Sequence, residues 1–134
     1  MGDYTELRVR ATIKHKYRDL VTELMDENNK CYWRELVARF PKFMWLRAWA
    51  HKVDCSMMIP FGGSSSFPND PDWAHTWNPE TGFWQFQCSL KNYEGTIENF
   101  LAHVLPELAE TVHEAYEHYE YDDEPSKIGV TCFS

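Results

Sequence analysis

Six histidines, four cysteines and 21 acidic residues are the side chains of this 134-residue chain most able to do chemistry. His113-Glu114-Ala115-Tyr116-Glu117-His118 is the densest cluster. A zinc-protease helix places two histidines at i and i+4, on one face, with a glutamate as base. Here the spacing is i and i+5, which diverges by about 140° on a helix and points to opposite faces of a strand. The spacing therefore predicts surface histidines and no metal; His15, His51, His75 and His103 stand alone. Cys31, Cys55, Cys88 and Cys132 form no C-x-x-C pair and read as small buried hydrophobes in a thiol-reduced protein. Gly62-Gly63-Ser64-Ser65-Ser66 reads as a flexible turn, since no G-x-S-x-G elbow surrounds a serine. Phosphate-binding glycine loops are absent from the sequence. A Cys/His pair is not decided by sequence, because such partners lie far apart in the chain.

Charge narrows the partner classes. The formal net charge is −8, which argues against direct nucleic-acid binding. The charge is also uneven. Residues 1–52 carry 11 basic and seven acidic residues, whereas residues 53–134 carry two basic and 14 acidic ones. Glu107 to Glu124 holds eight carboxylates and no Lys or Arg. This asymmetry reads either as an interaction surface or as charge that two adjacent elements cancel.

Rings supply the other candidates. Aromatics make up 16% of the chain. Trp33-Arg34, Lys42 to Arg47 and Trp49 interleave rings with cations, as single-strand binders do, but their spacing also fits a core. Trp73, Trp77 and Trp84 read either as a ligand pocket, with Arg8, Arg10 and Arg47 near a phosphate, or as cross-strand pairs.

The elements that must position these residues follow from periodicity. From Tyr4 to Lys14 the chain alternates, with Leu7, Val9, Ala11 and Ile13 on one face, which predicts a half-buried strand. Tyr17, Leu20, Val21, Leu24 and Met25 follow helical spacing up to Asn28-Asn29. Trp33, Leu36, Val37 and Phe40 predict a second helix, ended before Pro41. Lys42 to Cys55 fits a buried helix or a strand covered on both faces. Met57 to Phe67 reads as extended, broken by Pro60 and Gly62-Gly63, and residues 73–90 as a hairpin turning at 78–82.

Ile97, Phe100, Leu101, Val104, Leu105 and Leu108 predict a helix capped by Thr96 and distorted at its end by Pro106. Val112 to Tyr121 reads as a strand, and Ile128, Val130 and Cys132 as a closing strand. The order predicts a single α+β domain over residues 1–134. Its mostly antiparallel sheet would have helices on one face, with ferredoxin-like topology as the expected arrangement. The charged first 20 residues leave no room for a signal peptide, and no stretch is apolar enough to span a bilayer.

Three segments resemble a family of small, functionally unassigned bacteriophage and prophage proteins. They are Met1-Gly2-Asp3-Tyr4-Thr5-Glu6-Leu7, then Leu90-Lys91-Asn92-Tyr93-Glu94-Gly95-Thr96-Ile97-Glu98-Asn99-Phe100-Leu101 with Pro106, and Tyr119-Glu120 with Pro125. Residues 26–60 depart from the pattern. The resemblance implies a phage accessory protein acting in bacterial cytoplasm, with no catalytic residues to carry over. The expectation is therefore a non-enzymatic protein, without cofactor or metal, that binds and inhibits a host protein. An anti-defence, anti-CRISPR-type role is its concrete form. The acidic stretch would imitate nucleic-acid phosphates, with Glu114, Tyr116, Glu117, Tyr119, Glu120, Tyr121, Asp122, Asp123 and Glu124 as contact residues. The alternative is a nucleotide-signal binder with an aromatic pocket.

Overall fold

A computed structural model describes residues 3–26, 32–52 and 56–134. Five strands form one antiparallel sheet: β1 (Tyr4–Ile13), β2 (Thr76–Asn78), β3 (Phe83–Lys91), β4 (Ala109–Tyr119) and β5 (Ser126–Lys127). Their order is β2-β3-β1-β4-β5, so the first strand is central. Helices α1 (Arg18–Leu24), α2 (Trp33–Arg39) and α3 (Trp45–Lys52) follow β1 in the chain. A helical run joins β3 to β4: α4 (Thr96–Asn99), a π-helical stretch (Phe100–Val104) and α5 (Leu105–Leu108). The α+β class with an antiparallel sheet is thus as the sequence predicts. No helix among the described residues is long and apolar enough to cross a membrane.

Alternation in β1 decides the layering. Leu7, Val9, Ala11 and Ile13 are fully buried. Cross-strand partners share a face, so Cys88, Phe86 and Trp84 of β3 join Leu7, Val9 and Ala11 against the helices. Phe100 is the hub of this core: its ring centroid lies 6.1 Å from Trp33, 5.8 Å from Trp49 and 6.1 Å from Phe86. Of Lys42 to Cys55, Trp45–Lys52 is helix, preceded by a turn, with Leu46, Trp49 and Ala50 turned inward. The interleaved rings at 33–49 therefore serve largely as core. Trp33 is completely buried, and its indole Nε1 donates to the Ile59 carbonyl at 2.7 Å.

Several local expectations change. Thr96 is not the helix cap: its hydroxyl donates to the Tyr93 carbonyl, while Asn92 Oδ1 accepts from the Ile97 amide at 2.7 Å. Gly95 holds the position before α4, at φ +69°, a left-handed conformation that glycine adopts freely. The π-helical stretch directly precedes Leu105-Pro106, where proline can neither donate nor accommodate the carbonyl four residues back. Met57 to Phe67 is not a strand but turns: a 3₁₀ turn at Ser56–Met58, a cis Ile59-Pro60 bond and a lone bridge between Ser64 and Phe67. The closing strand is only Ser126–Lys127, earlier than expected. Beyond it Ile128, Val130 and Cys132 still pack partly buried against the core. Asn28-Asn29, Cys31 and Cys55 lie outside the described residues.

Gly62 is no loose hinge. Its amide donates to Met58 O at 2.7 Å, and its carbonyl accepts from Ser89 N at 2.9 Å, which covers part of the outer edge of β3. A Cβ at Gly62 would lie 2.7 Å from Ser89 O and 2.8 Å from Met58 O, whereas one at Gly63 meets nothing within 4 Å. Gly62→Ala is therefore expected to destabilise the protein by roughly 2–4 kcal/mol, and Gly63→Ala by less than about 0.5 kcal/mol, in urea unfolding. Equal effects would show that the edge does not depend on this close approach.

Candidate functional site

The second face of the sheet is polar. Glu6, Arg8, Arg10 and Thr12 alternate with the buried residues of β1. The chain from Phe61 to His75 roofs this face. Gln87 clamps Asp70, with Oε1 accepting from Asp70 N at 2.9 Å and Nε2 donating to Asp70 O at 2.7 Å. Arg8 lies between carboxylates, 2.9 Å from Glu6 and 3.4 Å from Asp70. Burial raises the Glu6 carboxyl above its ordinary range, against the opposing pull of Arg8. Trp73, 7% exposed, takes the Arg10 guanidinium 3.8 Å from its ring centroid and Tyr116 edge-on at 5.9 Å. Glu114 completes the group by an ion pair to Arg10, which holds its carboxyl below the ordinary range by hydrogen bonding. The charges of this face are paired internally, with Arg8 Nε left without a hydrogen bond.

The predicted contact residues therefore divide. Glu114 and Tyr116 belong to the polar face and engage Arg10 and Trp73. Glu117 and Tyr119 lie opposite Leu7 and Thr5 on β4, at the end of the sheet where β1 begins. Glu120 accepts from the Tyr4 amide at 2.8 Å and from the Ser66 hydroxyl at 2.8 Å. Tyr121, Asp122, Asp123 and Glu124 form an exposed turn beyond β4. Tyr119 and Tyr121 stack edge to face at 5.5 Å.

At that sheet end a cleft of about 390 Å³ is lined by Asp3, Thr5, Asn92, Tyr93, Glu98, Glu117 and Tyr119. Three elements and their flanks supply it: the start of β1, the β3–α4 junction and the end of β4. Its geometry is preset. Asn92 Nδ2 donates to both Glu98 carboxylate oxygens, at 3.0 and 2.7 Å. The Tyr119 hydroxyl donates to Asp3 at 2.7 Å, which pushes the Tyr119 pKa up to about 12. Burial and the neighbouring Glu98 push the Glu117 carboxyl up to about 7. Glu117 and Tyr119 were legible as acid and ring in the acidic run. Asp3, Asn92 and Glu98 were not, although an asparagine six residues before a glutamate at a helix start is a signal of local capping.

The other sequence candidates do not converge. Trp84 is fully buried on the helix side and pairs with Trp77, whose Nε1 donates to Thr22, while Trp73 lies on the opposite face. Arg8 and Arg10 share the face of Trp73, and Arg47 is exposed on α3. The expectation of one pocket from three tryptophans is thereby corrected. His113 and His118 also depart from the expected opposite faces. The register skips His113, a bulge, and its Nε2 meets the Thr12 hydroxyl at 2.8 Å on the polar side. His118 Nε2 contacts Asp122 O at 2.9 Å. Among the described residues no three His, Cys, Asp or Glu side chains are placed to hold a metal ion. Cys88 is buried, with its thiol pushed up by desolvation, and Cys132 is half-buried.

No protein-family profile, curated protein or solved structure matches this chain.

Glu117 couples the cleft to folding. Its folded carboxyl titrates above the ordinary 4.5, near 7, so the native state keeps a proton that the unfolded chain has released between those values. Its stabilising contribution is complete below pH 4.5 and is lost as pH rises through 7. The loss should be on the order of 1 kcal/mol after solvent screening. Urea midpoints measured across this range should fall with pH in the native protein and flatten in Glu117→Gln. A slope unchanged by the substitution would assign the titration to another group.

Proposed function

We propose that this protein acts by docking, as a phage accessory protein that occupies a basic surface of a bacterial host protein. The observation that carries the reading is the gathering, at one end of the sheet, of exposed tyrosines and of acids with no Lys or Arg paired to them among the described residues. Asp3, Glu98 and Glu117 line the cleft, and Asp122, Asp123 and Glu124 extend it along the adjoining turn. Tyr93, Tyr119 and Tyr121 are 50%, 37% and 72% exposed there. Tyrosine supplies contact area at low entropic cost, and carboxylates spaced over a surface complement a phosphate-binding channel.

In this reading only part of the acidic run is the contact surface. Glu114 and Glu107 are paired internally, with Arg10 and with Lys14 and Lys16. The docking residues are those the fold leaves uncompensated. Inhibition follows by occupancy: a nucleic-acid-binding defence effector whose cationic channel is filled cannot bind its own ligand. The mode is non-catalytic, needs no cofactor and places the protein in the host cytoplasm.

The test is affinity capture from bacterial lysate at low and high salt, with mass spectrometry. Native protein should retain a nucleic-acid-binding protein at low salt and lose it at high salt. The triple variant Asp122→Lys, Asp123→Lys, Glu124→Lys should lose it at both. Equal capture by the native protein and the variant would overturn docking through this end.

A further inference from the structure

Unlike Glu6 and Glu114 on the same sheet, the acids of the cleft have no cation paired with them among the described residues. Elsewhere Arg8 serves Glu6 and Asp70, and Arg10 serves Glu114. Among the described residues no lysine or arginine pairs with Asp3, Glu98 or Glu117. Lys91, seven residues before Glu98, sits over the Tyr4 ring instead. A second, independent feature is Thr5. This residue is only 5% exposed, lies in the cleft wall, and no described group hydrogen-bonds its hydroxyl. The hydroxyl is reachable from the cleft, so water or a ligand entering the cleft completes its hydrogen bonding.

We propose that this cleft is a guanidinium site, filled in the docked complex by one arginine side chain of the partner. The inference rests on the docking reading and names its anchor. The cleft presents acceptors in excess of donors: the carboxylates of Glu98, Glu117 and Asp3, and the Thr5 hydroxyl. A guanidinium is the side-chain cation with five donors in a planar fork, which suits two facing carboxylates. Tyr93 and Tyr119 line the same space and offer ring faces to a flat cation. The acceptors are positioned before a ligand arrives, because Asn92 holds both Glu98 oxygens while its own Oδ1 is fixed by the Ile97 amide. A volume of about 390 Å³ admits the guanidinium head and the methylenes behind it.

Binding is linked to a proton. The titratable groups facing the cleft are Asp3 beside β1, Tyr93 and Glu98 from the β3–α4 junction, and Glu117 and Tyr119 from β4. Without a cation Glu117 retains a proton up to about pH 7. The guanidinium replaces that proton, so affinity rises with pH.

The probe is butylguanidinium, titrated into the full chain and followed by amide NMR at about pH 6 and pH 8, with butylammonium as comparison. Saturable shifts centred on Thr5, Glu98, Glu117 and Tyr119 are expected, about tenfold tighter at the higher pH. Glu117→Gln should weaken binding at pH 8 at least about fivefold and remove the pH dependence. Thr5→Val should weaken it while keeping the pH dependence, with native-like spectra confirming that each variant folds. Shifts that never saturate, undiminished binding by Glu117→Gln, or equally tight butylammonium would overturn the guanidinium site. Absence of probe binding alongside salt-sensitive capture rejects this anchor and leaves docking intact. Probe binding without such capture rejects docking alone.

Discussion

The central strand carries charge that the fold must neutralise. β1 is paired on both edges, yet Glu6, Arg8 and Arg10 project from one of its faces. A covered arginine without a partner is strongly destabilising, so the face requires acids and a roof. The chain from Phe61 to His75 supplies Asp70 and Trp73, β3 supplies Gln85 and Gln87, and β4 supplies Glu114. The placement of β4 next to β1 brings the acidic part of the chain against the basic part. Their charges cancel across the middle of the sheet, while the turn beyond β4 has no basic strand beside it. Uncompensated acid is therefore displaced to one end.

The sequence showed those layers wherever a single period ruled a segment. β1 alternates over its whole length, and α1, α2 and the run from Thr96 to Leu108 keep one apolar stripe. Lys42 to Cys55 stayed open because apolar rings at 43, 45, 46 and 49 satisfy a helix and a doubly covered strand alike. Packing decided for the helix by burying Leu46, Trp49 and Ala50 while Arg47 and Ala48 face out. At Met57 to Phe67 apolar character was mistaken for strand character. Those residues pack through turns, with Ile59 buried and its carbonyl taken by Trp33. The closing alternation at Ile128, Val130 and Cys132 does mark an inward face. Bulges at His113 and Glu110 interrupt the register of β4, and only two residues join it as strand.

The site was legible by halves for a related reason. Composition pointed to the acidic run, and Glu117 and Tyr119 lie in it. Composition is blind to which acids find partners, and that alone separates Glu114 from Glu117, three residues away on the same strand. Asp3 reaches the cleft from 89 residues before Asn92, and Asn92 and Glu98 lie 25 and 19 residues before Glu117. Such proximity follows from strand order, which no local pattern specifies.

Two kinds of acid at this end would contribute differently to an encounter. Asp122, Asp123 and Glu124 stand in solvent, where a Debye length of about 8 Å at physiological salt limits them to steering. In the proposed docking they would raise the rate of approach and add little to what holds a complex together. Glu98 and Glu117 sit in a recess, with Asn92 fixing one carboxylate and burial pushing the other toward its neutral form. A like-charge pair kept so close gains most from a cation that enters and excludes water. In the proposed docking, the separation of exposed turn from recessed pair would divide attraction from retention, and both would depend on β1 having already drawn the remaining acids inward.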